Sequence, residues 1–283
     1  MLEVIEETLI DAIKLLPFLF ITYLIMEYIE HKMGHKTKKA IKKSGKWGPI
    51  IGSILGAFPQ CGFSVSATNL YAGRVITLGT LIAVYLSTSD EMLPILLTEA
   101  VPAGTIFTIL GIKLVLGIVA GFIIDFVIRM FRKEKVEEQE EKIEEICENE
   151  HCHCEEGIVT SAIKHTLNIT IFIFFITLVL NGIIAYIGED TIAHFISKNV
   201  ILGPIVAGLI GLIPNCASSV ILTELFISNV ISMPVLISGV AVNAGVGLLV
   251  LFKTNKNVKE NISIVGLLYG IGVIAGIILE LFL

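Results

Sequence analysis

The sequence predicts an all-α polytopic membrane protein made of two inverted-topology repeats, each with a Pro-broken re-entrant helix hairpin and a discontinuous transmembrane helix. Three observations predict it. Of 283 residues, 54% are hydrophobic and 16% charged, with a mean hydropathy of +0.86, a composition outside the range of soluble domains. The chain matches itself without a gap at a separation of 155 residues. Loops rich in lysine alternate with loops rich in acid, which assigns sides to the helices between them.

The repeat centres on Phe58-Pro59-Gln60-Cys61-Gly62-Phe63-Ser64, which falls on Ile213-Pro214-Asn215-Cys216-Ala217-Ser218-Ser219. Around it, Gly48-Pro49-Ile50 falls on Gly203-Pro204-Ile205, Gly56 on Gly211, Val75-Ile76 on Val230-Ile231, and Leu81-Ile82 on Leu236-Ile237. Apolar stretches match by chance, but chance rarely aligns Pro-amide-Cys with Pro-amide-Cys.

Residues 8–29 form the first predicted span, with Asp11 and Lys14 placed to pair or to snorkel. Lys32, Lys36, Lys38, Lys39, Lys42, Lys43 and Lys46 follow, with no acid after Glu30. The 31–46 loop is therefore assigned to the cytoplasm and the N-terminus to the outside. Residues 48–58 and 62–73 come next. At about 1.5 Å per residue, a dozen residues reach roughly 18 Å, short of a hydrocarbon core of about 30 Å. They read as one helix kinked at Pro59 or as a re-entrant hairpin with its tip at Pro59-Gln60-Cys61-Gly62. Arg74 prefers the inner face and favours the hairpin. Residues 75–98 cross outward, interrupted by Ser87-Thr88-Ser89-Asp90-Glu91, a run that no lipid-facing helix is expected to carry. Residues 103–128 cross back and end in Arg129, Arg132, Lys133 and Lys135 on the cytoplasmic side.

The first repeat (1–130) and the second (161–283) are joined by a cytoplasmic loop, 131–160. Eleven of the 26 acidic residues lie at 134–156, beside only Lys135 and Lys142, so the net charge of −6 belongs mostly to this loop. In the second repeat, residues 163–187 cross outward, and Phe20-Ile21-Thr22 aligns with Phe175-Ile176-Thr177. Glu189 and Asp190 fall outside. Residues 203–229 dip in from that side, with a tip at Pro214-Asn215-Cys216. Residues 232–252 cross inward with a soft spot at Asn243-Ala244-Gly245, which aligns with Thr88-Ser89-Asp90. Lys253, Lys256 and Lys259 mark the inside, and residues 261–283 cross out, placing the C-terminus outside. Asp125 aligns with Glu280. The two halves enter their hairpins from opposite sides, the inverted relation. With five segments per half the chain has ten. Gly117 and Gly121, repeated as Gly272 and Gly276, are small-xxx-small pairs suited to close helix packing.

Composition also excludes. No basic face exists outside the membrane-flanking loops, so nucleic acid is not an expected partner. The first seven residues carry Glu3, Glu6 and Glu7 and no basic residue, so no signal peptide is expected. Five cysteines, two in apolar segments and three in the acidic loop, read as reduced thiols or ligands rather than as a disulfide framework. No Gly-x-x-x-x-Gly-Lys-Ser/Thr loop is present, so ATP is not expected to drive the protein directly.

The residues that can carry chemistry sit at the breaks. In a hairpin the first arm ends with unpaired carbonyls and the second begins with unpaired N–H groups; the former suit a cation, the latter an anion. Gln60 and Asn215 add amides, Cys61 and Cys216 polarisable sulfurs, and Ser64, Ser66, Ser218 and Ser219 line the second arms. The plainer reading is that Pro and Gly only kink the helices and that buried Cys packs as a small apolar residue. A broken apolar segment once per half is the expected mark of a transporter's substrate site. Asp90 and Glu91 lie deep in an apolar stretch, where a charge costs at least about 2.5 kcal/mol. They need a cation, a proton or a partner such as Lys113. Glu224, aligned with Asn69, lies eight residues past Cys216. Each acid reads as a cation ligand or proton carrier, or as a structural charge. Ser87, Thr88, Ser89 and Asn243 supply neutral oxygens. In the loop, Cys147, His151, Cys152, His153 and Cys154 suit a borderline-soft ion such as zinc or copper(I) at a loose capture or sensing site; a linker with chance cysteines is the alternative.

The paired Pro-Gln-Cys and Pro-Asn-Cys tips, the Ser87-Thr88-Ser89-Asp90-Glu91 break and the His/Cys-bearing loop together resemble the ten-helix heavy-metal exporter family. Its members are also labelled manganese transporters, and it is distantly similar to arsenic permeases. The resemblance covers nearly the whole chain and implies metal or metalloid efflux across the plasma membrane. The expectation is a secondary active transporter, not an enzyme, exporting a divalent transition-metal ion. Manganese is favoured by the resemblance and by oxygen ligands at Asp90, Glu91, Gln60 and Asn215, whereas Cys61 and Cys216 favour a softer metal or a metalloid. A transporter of a small organic solute bound at the hairpin tips is the alternative. No tightly bound cofactor is expected. The partners are the lipid bilayer, the metal cargo and a coupling proton or cation; a homo-oligomer is compatible with the sequence.

Overall fold

The computed structural model describes residues 9, 10, 13, 16, 17, 20, 21, 23 and 24, then 47–59, 62–89, 91–131, 158–187 and 201–282. These residues are helical or lie in turns between helices. After the helical residues at 9–24 come α1 (Gly48–Gly56), α2 (Gly62–Ala72), α3 (Leu78–Ser87), α4 (Met92–Thr98), α5 (Ala103–Phe131), α6 (Ile158–Ile187), α7 (Leu202–Gly211), α8 (Cys216–Ile227), α9 (Met233–Val242), α10 (Gly247–Thr254) and α11 (Val258–Phe282).

The helices recur at the separation seen in the sequence. Shifted by 155 residues, α3 coincides with α9 at both ends, and α1, α2 and α4 differ from α7, α8 and α10 by one residue at one end. The stops recur as well. Val75 N–H reaches back to Leu70 O (2.8 Å) and Arg74 N–H to Tyr71 O (2.9 Å); Val230 reaches Leu225 O (2.9 Å) and Asn229 reaches Phe226 O (3.0 Å). Arg74 and Asn229 both have φ 57°, the left-handed residue that closes a helix C-terminus. Pro59 and Pro214 have no N–H to continue α1 and α7.

The starts are capped alike. Thr77 Oγ1 accepts from Thr80 N–H (3.1 Å) and donates to Asp125 Oδ2 (2.7 Å); Ser232 Oγ accepts from Val235 N–H (3.4 Å) and donates to Glu280 Oε2 (2.7 Å). A hydroxyl cap backed by a carboxylate offsets the positive end of α3 and of α9. This is what the aligned Asp125 and Glu280 do.

Packing follows the same scheme. α3 lies chiefly against α5 and α1, and α9 against α11 and α7. Between the halves, α2 packs on α10 while α8 packs on α4, and α5 meets α9 while α11 meets α3. These cross-half contacts among the described residues have counterparts with the halves exchanged, the pattern of an isologous interface. The apolar cluster around Tyr85 draws Ala67, Leu81 and Leu86 from the first half and Ala244, Leu251, Ile264 and Leu268 from the second.

Among the described residues, four segments are long and apolar enough to cross a membrane: Leu78–Thr98, Ala103–Met130, Met233–Thr254 and Val258–Phe282. The two interrupted ones are 71% and 89% buried inside the protein, the two continuous ones 33% and 28%. The broken helices are thus the inner pair, which is where irregular backbone is tolerated in a bilayer. Phe107, Val115, Phe126, Ile274 and Leu281 are exposed on α5 and α11, a surface suited to acyl chains.

Several boundaries differ from the sequence expectation. α11 begins at Val258 rather than 261 because Asn257 Oδ1 accepts from Glu260 N–H (3.3 Å), an Asn-x-x-Glu start. α6 begins at Ile158 rather than 163 and α5 runs on to Phe131, since apolar residues continue to those points. The close approach at the glycine pairs holds: a Cβ on Gly121 would lie 2.7 Å from Gly79 O, and one on Gly276 2.5 Å from Ser238 Cβ.

Candidate functional site

The two inner helices each break at about the same depth along their length. In the first half, Ser87, Thr88 and Ser89 end α3 and are all buried. Ser87 Oγ donates to Ala83 O (2.8 Å), Thr88 Oγ1 to Val84 O (2.7 Å) and Ser89 Oγ to Ser87 O (3.2 Å). Each hydroxyl has given its only hydrogen to a carbonyl and keeps lone pairs to offer. Glu91 precedes α4 and is half-buried, with no side-chain capping bond.

In the second half, Asn243 ends α9. Its Oδ1 accepts from Gly245 N–H (2.7 Å) and its Nδ2 donates to Ser218 Oγ (3.1 Å). Gly245 has φ 54°, a conformation that glycine adopts without strain. Ser218 donates to Asn215 O (2.8 Å), and Asn215 Oδ1 caps α8 through Ala217 N–H (3.2 Å). Asn215, Ser218 and Asn243 are each at most 2% exposed. The Pro214-Asn215-Cys216 turn and the Asn243 break, 25 residues apart at Ser218 and Asn243, thereby form one hydrogen-bonded unit. Cys216 is buried beside it, and Ser219 Oγ donates to Cys216 O (2.8 Å).

The two halves meet at polar atoms. Thr68 Oγ1 on α2 pairs with Tyr85 OH (2.5 Å), and both approach Gly247 O at the start of α10, at 3.2 and 3.4 Å. Thr68 also donates to Ser64 O (2.7 Å), and a Cβ on Gly247 would lie 3.1 Å from Ser64 Cβ. Lys113 on α5 is 1% exposed. Its ammonium donates to Thr88 O at the end of α3 and to Val240 O (2.7 Å) in the last turn of α9. One cation thus joins the C-terminal ends of both broken helices. Charged hydrogen bonds of about 1.5–3 kcal/mol each are what such a burial requires. On α2, Asn69 Oδ1 accepts from Tyr23 OH (3.3 Å), and its Nδ2 has no hydrogen-bond partner although the residue is 1% exposed.

Of the residues singled out in the sequence, Ser64, Ser87, Thr88, Ser89, Asn215, Cys216, Ser219 and Asn243 are buried around the breaks and turns. Glu224, by contrast, is on an exposed part of α8, away from the face that carries Ser219 and Thr223. Gln60, Cys61 and Asp90, and the loop residues Cys147, His151, Cys152, His153 and Cys154, lie outside the described residues. Among the described residues no group of three or more His, Cys, Asp or Glu side chains could hold a metal ion. Sequence reasoning did not single out the Thr68–Tyr85–Gly247 contact or the carbonyl partners of Lys113. The available signal for the latter was a lone lysine in the middle of an apolar span.

Comparison with known proteins gives one family. A model described as "Putative, 10TM heavy-metal exporter" matches residues 1–187. No curated protein and no solved structure matches the chain.

Proposed function

The chain belongs to this family of ten-helix heavy-metal exporters, and on that premise we propose that it is a secondary active exporter of a divalent transition-metal ion. Manganese is favoured, with a softer heavy metal or a metalloid as the variant of the same reading. The observation that supports it most is the pair of buried helix breaks at Thr88 and Asn243, one in each half, tied together between the halves. Broken helices near the centre of a bilayer are where transporters bind cargo. Hydroxyls whose hydrogens are already donated are hard oxygen ligands of the kind manganese takes.

In this reading the two halves are inverted in the membrane and α1–α2 and α7–α8 are re-entrant hairpins with tips near its middle. Gln60, Cys61, Asp90 and Glu91 complete the cargo site with Asn215, Cys216 and Asn243. Cys147, His151, Cys152, His153 and Cys154 capture or sense metal on the cytoplasmic side of the plasma membrane, and both termini lie outside. A proton or cation moving the other way drives export, and no enzymatic step is involved.

A second reading has one specific observation in its favour. Lys113 places a positive charge between the breaks, and the start of α8 at Asn215 offers N–H groups, an environment for a small organic anion. Uptake into proteoliposomes separates the two. Accumulation of manganese, zinc or cadmium by inverted vesicles, lost in Asp90→Asn, supports metal export; accumulation of organic acids with indifference to all three metals supports the other reading.

A further inference from the structure

We infer that the Lys113 ammonium is a built-in cation, occupying a seat made by the C-terminal ends of α3 and α9 that would otherwise take a free alkali-metal ion. The inference does not depend on which cargo is moved. The last carbonyls of a helix have no amide four residues on and carry the negative end of the helix dipole. Val240 O, in the last turn of α9, is such an oxygen; Thr88 O belongs to the residue that ends α3 and, with ψ 126°, is turned out of the helix direction at the break, and the two come from different halves of the chain. Two converging carbonyls at the helix breaks form the start of an oxygen site suited to a small monovalent cation, the use to which such breaks are put in transporters. Here the chain supplies that charge itself from α5.

The second copy of the fold shows that the charge is not needed to build the crossing. Leu268 stands on α11 where Lys113 stands on α5, at the separation of 155 residues. Leu268 is fully buried in the cluster that includes Tyr85, Ala244 and Leu251. α11 meets α3 there as α5 meets α9. The equivalent junction is closed by a leucine and by the Tyr85 ring. An apolar side chain is the less costly way to fill such a place, because a lysine must be stripped of water. Of two equivalent junctions, one holds a lysine that delivers charge to Thr88 O and Val240 O and the other a leucine.

The test is thermal unfolding of the purified full-length protein in sodium, potassium or choline chloride at equal ionic strength. Choline is too large for the seat and serves as the null cation. The wild type sets the baseline in each salt, so that any stabilisation by a coupling cation bound elsewhere cancels. Lys113→Ala vacates the seat, and its unfolding temperature should rise by roughly 3–5 °C in sodium or potassium relative to choline. Lys113→Leu copies the second half, fills the space and should show no such difference. An alanine variant indifferent to the cation, or a wild type that gains as much as the variant, overturns the inference. Should Lys113→Ala accumulate poorly, folded yield is scored in the same salts: rescue by sodium or potassium and not by choline supports the seat, and loss in every salt overturns it.

Discussion

Arg74 and Glu260 form a two-pronged ion pair, Nη1 to Oε1 at 2.9 Å and Nη2 to Oε2 at 3.1 Å, between the turn after α2 and the first turn of α11. The pair therefore joins the two halves. Tyr71 OH donates to the same carboxylate, and the guanidinium lies 5.2 Å from the centre of its ring. At 19% and 24% exposed, the pair is neither a surface contact nor fully dry. Removing one partner should cost about 1–3 kcal/mol, between the values for exposed and buried pairs. Glu260→Gln is expected to lower the unfolding temperature in detergent by several degrees, and the exchange Arg74→Glu with Glu260→Arg to recover part of it. A Glu260→Gln protein as stable as the wild type would show that the pair holds nothing together.

Glycine substitutions should separate into two groups. A Cβ on Gly211 would sit 2.1 Å from Gly239 O, and one on Gly56 2.5 Å from Val84 O. These two backbone obstacles are equivalent in the two halves, and at Gly56 the Ser87 Oγ stands closer still, at 2.2 Å. Gly211→Ala and Gly56→Ala must push α7 from α9 and α1 from α3, with an expected cost of about 1–3 kcal/mol each. Gly266→Ala and Gly270→Ala meet nothing within 4 Å and should be neutral or slightly stabilising through helix propensity. The order of unfolding temperatures for the four variants checks this; equal values would mean that the helices can separate at no cost.

The capping carboxylates should be unequal. Asp125 is 6% exposed and accepts from both Thr77 Oγ1 and Gly79 N–H (3.0 Å), whereas the Ser232–Glu280 hydrogen bond is exposed. Asp125→Ala leaves a buried N–H unpaired and should cost about 1–3 kcal/mol. Glu280→Ala, which removes an exposed hydrogen bond, should cost under about 1 kcal/mol. Equal losses in the two variants would refute the assignment of the difference to burial.

Much of this architecture was legible because the repeat carries it. Pro59 and Pro214, the breaks at Thr88 and Asn243 and the glycine pairs are local signals, each written twice, and the helices fall where they place them. The functional atoms were less legible because many are backbone oxygens. Thr88 O and Val240 O are 152 residues apart in the chain, and no side-chain pattern announces that their helix ends converge on Lys113. Glu224 and the aligned Asn69 show a second limit: the acid in an apolar run attracts notice and stands on the exposed side of α8, while Asn69 is the buried one. Burial of a position depends on helix rotation, and α8 has no clear apolar stripe to set it, being apolar nearly all round.

Asn243 offers the sharpest test of the break as a working part. Its amide holds two elements at once, Oδ1 on Gly245 N–H and Nδ2 on Ser218 Oγ. Asn243→Asp keeps an oxygen for Gly245 and loses the donor to Ser218, so the turn persists while the link to the Pro214-Asn215-Cys216 turn is cut. Asn243→Ala loses both. If the linked turn and break hold the cargo, metal accumulation in proteoliposomes should fall roughly tenfold in Asn243→Asp, the equivalent of about one lost hydrogen bond, and the buried acid should also lower the unfolding temperature. Asn243→Ala should lose transport and also stability, because Gly245 N–H is then buried without a partner. Ser218→Ala removes the acceptor of Asn243 Nδ2 together with the hydroxyl's own bond to Asn215 O, and transport should fall at least as far as in Asn243→Asp. Transport at the wild-type rate in both Asn243→Asp and Ser218→Ala would mean that the junction only ties α8 to α9, and that cargo passes elsewhere.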